Sequence, residues 1–176
     1  MSDLFQGTWT IDLANSLVWD DNLKRHVPDE IGEEVITITV KDRVQDYEVL
    51  YGDRPKIKMG YTAAYDGAEW VPYTVREILS PSSEAETAAE VEEFKKRIKA
   101  SGGDRERRFE IGKPYALVRV IDLDERTQYR ISRDPLGSGA QNSVLRRMAN
   151  DGKSMVSTVV DVEGLVYRIR RFIRVD

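Results

Sequence analysis

The chain has 176 residues, 40% of them hydrophobic and 33% charged, a composition that suits one globular domain and excludes the disordered and fibrous classes. A balance of 27 basic against 31 acidic residues leaves a net charge of −4, which argues against a general nucleic-acid binder. Cysteine is absent and histidine occurs once, at His26, which excludes cysteine nucleophiles, disulfides, iron–sulfur clusters, Cys/His zinc sites and paired-histidine metal sites.

The N-terminus, Met1-Ser2-Asp3-Leu4-Phe5-Gln6, has neither a basic n-region nor an apolar h-region, and no run approaches about 18 apolar residues. The expectation is a cytoplasmic chain without a secretory signal, a transmembrane helix or a membrane partner. Strand signals follow at once. Thr8-Trp9-Thr10-Ile11-Asp12-Leu13 alternates, with Trp9, Ile11 and Leu13 on one face. The segment 34–40 is rich in β-branched residues, with Ile36, Ile38 and Val40 in register. Tyr47, Val49 and Tyr51 share a face up to Gly52-Asp53. Next, Ile57, Met59, Tyr61, Ala63 and Tyr65 alternate with Lys56, Lys58, Gly60 and Thr62, the period of two that marks a half-buried strand. Asp66-Gly67 predicts a hairpin turn, since both positions tolerate positive φ. The returning strand, 69–76, contains Pro72, which cannot donate to a ladder and so predicts an edge or a bulge.

A helix is predicted over about 83–100, opened by Ser83 and Glu86 at capping-box spacing and closed by Gly102-Gly103. Its stripe is Ala88, Val91, Phe94 and Ile98. Acidic residues come first and basic ones last, an order that complements the helix dipole and allows pairs such as Glu92–Lys96. Strands resume at 115–123 and 127–133 across Asp124-Glu125-Arg126. A hairpin then joins 144–149 to 154–162 through Asn150-Asp151-Gly152-Lys153, and Glu163-Gly164 turns into a last strand, 165–175. Pro135-Leu136-Gly137-Ser138-Gly139-Ala140 lacks a Walker lysine and reads as a loop. About ten strands at 8–12-residue spacing, with turn chemistry between them, predict a single all-β domain over 1–176, an antiparallel sandwich or barrel with one inserted helix.

Phe5-Gln6-Gly7-Thr8-Trp9 resembles the Gly-x-Trp signature that begins the first strand of lipocalin-type barrels. With Tyr65-Asp66-Gly67 and Asn150-Asp151-Gly152-Lys153 between meander hairpins, the chain resembles bacterial lipocalin-like, calycin-type domains from Phe5 to Val175 outside the helix, and the resemblance implies an all-β, antiparallel up-and-down barrel of about 8–10 strands. The resemblance implies that an arginine of a late strand, Arg171 or Arg174, packs across Trp9 and closes the barrel floor by a cation–π contact. Two departures stand out: there is no cysteine, and the chain ends on a strand, which is more similar to fatty-acid-binding or avidin-like calycins.

Chemistry gathers in three places. First, Tyr47, Tyr51, Tyr61 and Tyr65 are placed on one inner wall, with Ile36, Ile38, Val118, Val120, Val156, Thr158 and Val160 as the rest of the interior. Such a wall suits a mostly apolar ligand with a few polar groups, or simply a dry core with hydroxyls at its rim. Second, the segment from Trp19 to Pro28 joins the first two strands, where the resemblance implies a large loop over the barrel mouth. It holds Trp19 as a ligand contact and His26 as the candidate catalytic acid/base, because histidine is the side-chain type that titrates near neutrality. A solvated loop histidine is the plainer alternative. Asp20-Asp21 lacks further ligands, so no metal site is assigned. Third, the last strand alternates Tyr167, Ile169, Arg171 and Ile173 against Arg168, Arg170, Phe172 and Arg174. The first face is the more apolar and is expected inside, and the resemblance then implies Arg171 as either the tryptophan clamp or, as in fatty-acid-binding barrels, a carboxylate anchor beside Tyr167. The opposite arginines are expected to pair with acidic residues or to protect an exposed strand.

Two classes of function stay open. One is binding of a small, mostly apolar or aromatic molecule in a tyrosine-lined barrel, with no cofactor and no nucleic-acid partner. The other is a cofactor-independent isomerase, cyclase or lyase that uses the same cavity. The helix is expected as a lid, a barrel cap or a homodimer interface, and an interaction module acting through it is a third reading.

Overall fold

Among residues 3–80, 83–100, 110–137 and 140–175, which the computed structural model describes, eleven strands and one helix follow in chain order. They are β1 (Gly7–Asp20), β2 (Arg25–Pro28), β3 (Glu34–Lys41), β4 (Val44–Tyr51), β5 (Lys56–Ala64), β6 (Val71–Leu79), α1 (Glu84–Ala100), β7 (Pro114–Asp124), β8 (Thr127–Arg133), β9 (Ala140–Met148), β10 (Ser154–Asp161) and β11 (Val166–Arg174). From β3 to β11 each strand pairs antiparallel with the next, and β1 pairs with both β3 and β11. Ten strands thereby close a barrel, the one of the two expected architectures that the resemblance implies, and β2 lies outside it on the far half of β1. No helix among the described residues is long and apolar enough to cross a membrane.

Local chemistry explains the turns. Asp42 and Arg43 both take left-handed φ values, 51° and 60°, the two-residue geometry that suits the twist of the β3–β4 hairpin. Asp66 is also left-handed, at φ 59°. The tight hairpin expected at Asp66-Gly67 does not form, however. The Asp66 amide donates to Val120 O of β7 at 2.9 Å, and the β5–β6 ladder starts only at Gly60 opposite Thr74. Arg43 draws the turn sideways through its ion pair with Asp66 at 2.8 Å. Beyond Pro72, the β6–β7 register shifts between Tyr73 and Thr74, where the proline predicts a bulge.

A second irregularity lies in β1, whose register with β11 shifts between Asp12 and Leu17. Ser16 repairs it: its buried hydroxyl donates to Asp12 O at 2.8 Å and accepts the Arg171 amide at 3.1 Å. The floor of the barrel is built on Trp9. Its indole N–H donates to Phe5 O at 3.0 Å, and the Arg174 guanidinium lies 4.3 Å over its ring. Arg174 also donates to Leu4 O at 2.6 Å, Gln6 O at 2.8 Å and Gly152 O at 3.1 Å, tying the N-terminal segment under the barrel. Of the two arginines the resemblance offers for this contact, Arg174 makes it.

Two strands turn the other face inward from that expected. On β10, Met155, Ser157 and Val159 are buried, and Val156 of the expected set is exposed. On β11, Arg170 and Phe172 are buried, and Arg171 is exposed. The errors are one error, because Met155 faces Phe172 and Ser157 faces Arg170 across the ladder. Charge on the inner face is tolerated because Arg170 and Arg174 find partners there.

The capping box opens α1 as predicted: the Ser83 amide and hydroxyl donate to Glu86 at 3.0 and 2.8 Å, and the hydroxyl bond holds the Glu86 carboxyl below its usual range. Lys95, rather than Lys96, pairs with Glu92, at 3.0 Å. Val91 and Phe94 pack on the core, and the Phe94 ring lies 6.4 Å from that of Tyr51. This packing places the helix at the barrel end, as the lid and cap readings both expect. The Ile98 side chain, Gly102-Gly103 and Ser138-Gly139 lie outside what is described.

Gly60 yields a test of the packing. A Cβ there would stand 2.5 Å from the Arg76 guanidinium and 2.6 Å from the Tyr47 carbonyl. Arg76 crosses this spot to reach Asp46 at 2.9 Å and Glu48 at 3.3 Å. Gly60→Ala is expected to cost about 1–3 kcal/mol, read as a lowered urea midpoint with the slope unchanged.

Candidate functional site

Above the floor, the barrel encloses a cavity of about 290 Å³, bounded at its mouth by Ile31 and by Phe94 of α1. Inward positions of consecutive strands supply its walls, so its two sides differ in chemistry. β4, β6 and β7 contribute Tyr47, Tyr51, Tyr73 and Tyr115, with Val49 between the first two. β8, β9 and β11 contribute Arg130, Arg146, Arg168 and Arg170. The β10–β11 register shifts beside Tyr167, which brings Tyr167 and Arg168, neighbours in sequence, to the same cavity.

The rings form a compact cluster. Tyr47 stacks on Tyr61 at 4.9 Å and 15°, and Tyr73 stands edge-on to them at 6.3 and 5.7 Å. The Arg146 guanidinium lies 4.4 Å from the Tyr47 ring centre, and Arg130 lies 5.7 Å from Tyr47 and 5.2 Å from Tyr73. Burial pushes the Tyr47, Tyr51 and Tyr73 hydroxyls above their usual range, with Arg146 and Arg130 partly offsetting the effect at Tyr47. These hydroxyls are therefore protonated donors at neutral pH, not phenolates.

Beneath the cavity runs a polar network. The Tyr61 hydroxyl donates to Gln45 Oε1 at 2.9 Å and accepts from Arg146 at 3.4 Å. Gln45 and Gln128 donate to the Tyr65 hydroxyl at 3.1 and 2.8 Å, and Tyr65 donates to Asp3 at 2.9 Å. Burial and the Asp3 carboxylate raise the Tyr65 hydroxyl.

The arginines are not equivalent. Arg170 donates to Asp29 at 2.7 Å and to Glu34, the one carboxylate among the described residues on the cavity wall. Arg130, Arg146 and Arg168 have no carboxylate partner among the described residues, and the Nε of each is buried without a hydrogen bond. Burial, together with the neighbouring Arg170 charge, pushes Arg168 below the usual arginine range.

Of the residues expected at the site, Tyr47, Tyr51 and Tyr167 line the cavity. Tyr61 and Tyr65 point into the barrel but lie beneath the cavity, in the floor network. Trp19, His26 and Arg171 do not line it. Residues 25–28 are a strand hydrogen-bonded to β1, not a loop over the mouth, and Trp19 and His26 are cross-strand partners with rings 5.4 Å apart. His26 Nε2 lies 2.7 Å from Val166 O, and the Trp19 N–H donates to Asp21 at 3.2 Å. The Arg171 side chain, 45% exposed on the outer face, lies 3.9 Å from Asp12. Sequence reasoning passed over Glu34, Tyr73, Arg130 and Arg146 and put Arg168 and Arg170 outside. The signal for Arg146 was present: it stands between Val144 and Met148 at the strand period, an arginine on an otherwise apolar face. The closed antiparallel barrel agrees with the one that the likeness to lipocalin-like domains implies. Set against models of known families and against curated proteins, the chain finds no match.

Proposed function

We propose that the barrel binds a small molecule with an apolar or aromatic body in the cavity above Tyr47. One observation carries this reading: a cavity of about 290 Å³ opens between packed aromatic rings, over a floor that Trp9 and Phe5 close. That volume lies at the lower end of small-molecule pockets, which suits one ring with a short substituent. The rings supply faces for stacking, and the protonated hydroxyls supply directed donors.

The test is a calorimetric titration with a neutral ring compound, benzyl alcohol, against the wild type and Tyr73→Ala. Tyr73 touches both Tyr47 and Arg130, so its loss removes one wall and is expected to weaken binding at least about tenfold. Unchanged affinity in a folded Tyr73→Ala variant would overturn the reading.

A catalytic reading has Glu34 in its favour, a buried carboxylate on the cavity wall. Arg170 and the Glu34 carboxylate already hold each other, so proton transfer by Glu34 requires that pair to loosen. His26, being outside the cavity, does not support this reading.

A further inference from the structure

We propose that the ligand is a small dianion, its charged end held by Arg146 and Arg130 deep in the cavity and its body lying toward Tyr51 and the mouth. The proposal rests on the small-molecule reading above and deepens it by naming the ligand's charge.

Arg146 is 2% exposed, and in so dry a place a guanidinium needs acceptors for its five N–H donors. Among the described residues it has one, the Tyr61 hydroxyl at 3.4 Å, and its Nε–H has none. The Tyr47 face, at 4.4 Å, offers attraction to the charge but no acceptor in the guanidinium plane. Arg130 repeats the pattern: its Nε is also buried and unpartnered, and its contacts are the rings of Tyr47 and Tyr73. Both guanidiniums sit against the same Tyr47 ring, so two like charges share one low-dielectric region. Among the described residues no carboxylate pairs with either, and Glu34, the carboxylate on the cavity wall, is bound by Arg170.

A structural arginine in a core carries its partner with it, as Arg170 does. Two that share one ring, line a cavity and lack a carboxylate among the described residues describe half of an ion pair whose other half arrives from solution. Arg168, the third arginine without a carboxylate there, lies over Tyr167 instead, so the two guanidiniums on Tyr47 match two negative charges. Planar forks suit the oxygens of a phosphoryl group or of paired carboxylates, and the protonated Tyr47 and Tyr73 hydroxyls add neutral donors.

The test compares ligands that share one ring and differ in charge, titrated calorimetrically into the full chain at about pH 8, where a phosphate monoester is dianionic. Phenyl phosphate and phthalate carry two charges, benzoate one and benzyl alcohol none. At least one dianion is expected to bind about 100-fold more tightly than benzyl alcohol, with benzoate between them. The tighter of the two dianions tells a phosphoryl from a dicarboxylate ligand. In Arg146→Met and in Arg130→Met, the preference for charge is expected to fall to within about threefold while benzyl alcohol still binds. Unliganded Arg146→Met is also expected to melt above the wild type, because it loses an unpaired buried charge and keeps much of the side-chain volume. Should Arg146→Met fail to fold, the ratio in Arg130→Met decides. Benzyl alcohol binding as tightly as the dianions, or a preference for charge that survives both substitutions, overturns the dianion proposal alone. If no ring compound binds at all, the small-molecule reading falls too.

Discussion

Trp9→Ala is expected to remove about 3–5 kcal/mol of stability, a large share of the 5–15 kcal/mol typical of a domain. Trp9 is fully buried, and its ring is the surface on which the floor is assembled. Three losses coincide. The apolar volume leaves a cavity among Ile36, Ile38 and Phe172. The Phe5 carbonyl, which receives the indole N–H at 3.0 Å, is left without that donor. Arg174 loses the ring 4.3 Å below it while still having to hold the Leu4 and Gln6 carbonyls. Urea unfolding followed by the fluorescence of Trp19 and Trp70 measures the effect. Trp9→Phe, which keeps a ring under Arg174, is expected to lose roughly half as much. A loss below about 1 kcal/mol in Trp9→Ala would show that the floor does not depend on this contact.

Breaking the ion triad at Arg170 is the second large effect. The side chains of Arg170, Asp29 and Glu34 are 7%, 5% and 9% exposed, so both carboxylates are paired where water hardly reaches. Arg170→Met strands two like charges side by side, and the expected cost is about 3–5 kcal/mol. The figure measures the penalty of unpaired burial, not the net worth of the pair. The triple variant Arg170→Met, Asp29→Asn, Glu34→Gln carries no charge at the site and is expected to recover more than half of the loss. Thermal or chemical unfolding of the single and triple variants checks this. A triple variant no more stable than the single one would show that the triad holds the fold by geometry rather than by charge balance.

The barrel was legible wherever the alternation of apolar and polar residues carries the burial. Ile57, Met59, Tyr61, Ala63 and Tyr65 read as one buried face and are one, since burying that face determines the register. The helix was legible from Ser83 and Glu86, because a capping box is a local structure made by residues three apart. Half of the candidate site was legible in the same way, as the tyrosine wall.

The charged half was not legible. Hydropathy ranks Tyr167, Ile169, Arg171 and Ile173 above Arg168, Arg170, Phe172 and Arg174, but the second face goes inside. What reverses the order lies far away in the chain: Arg170 is matched by Asp29 and Glu34, more than 130 positions earlier, and Arg174 by Trp9 and the carbonyls of residues 4 and 6. The sequence by itself determined the barrel strands, the helix and the inward faces of β4 and β5, because these follow from spacing along the chain. Only the tertiary structure decided which arginines face the cavity and which of them lack a carboxylate. The free energy of a buried charge depends on the partners that folding brings to it, and spacing along a strand holds no record of them.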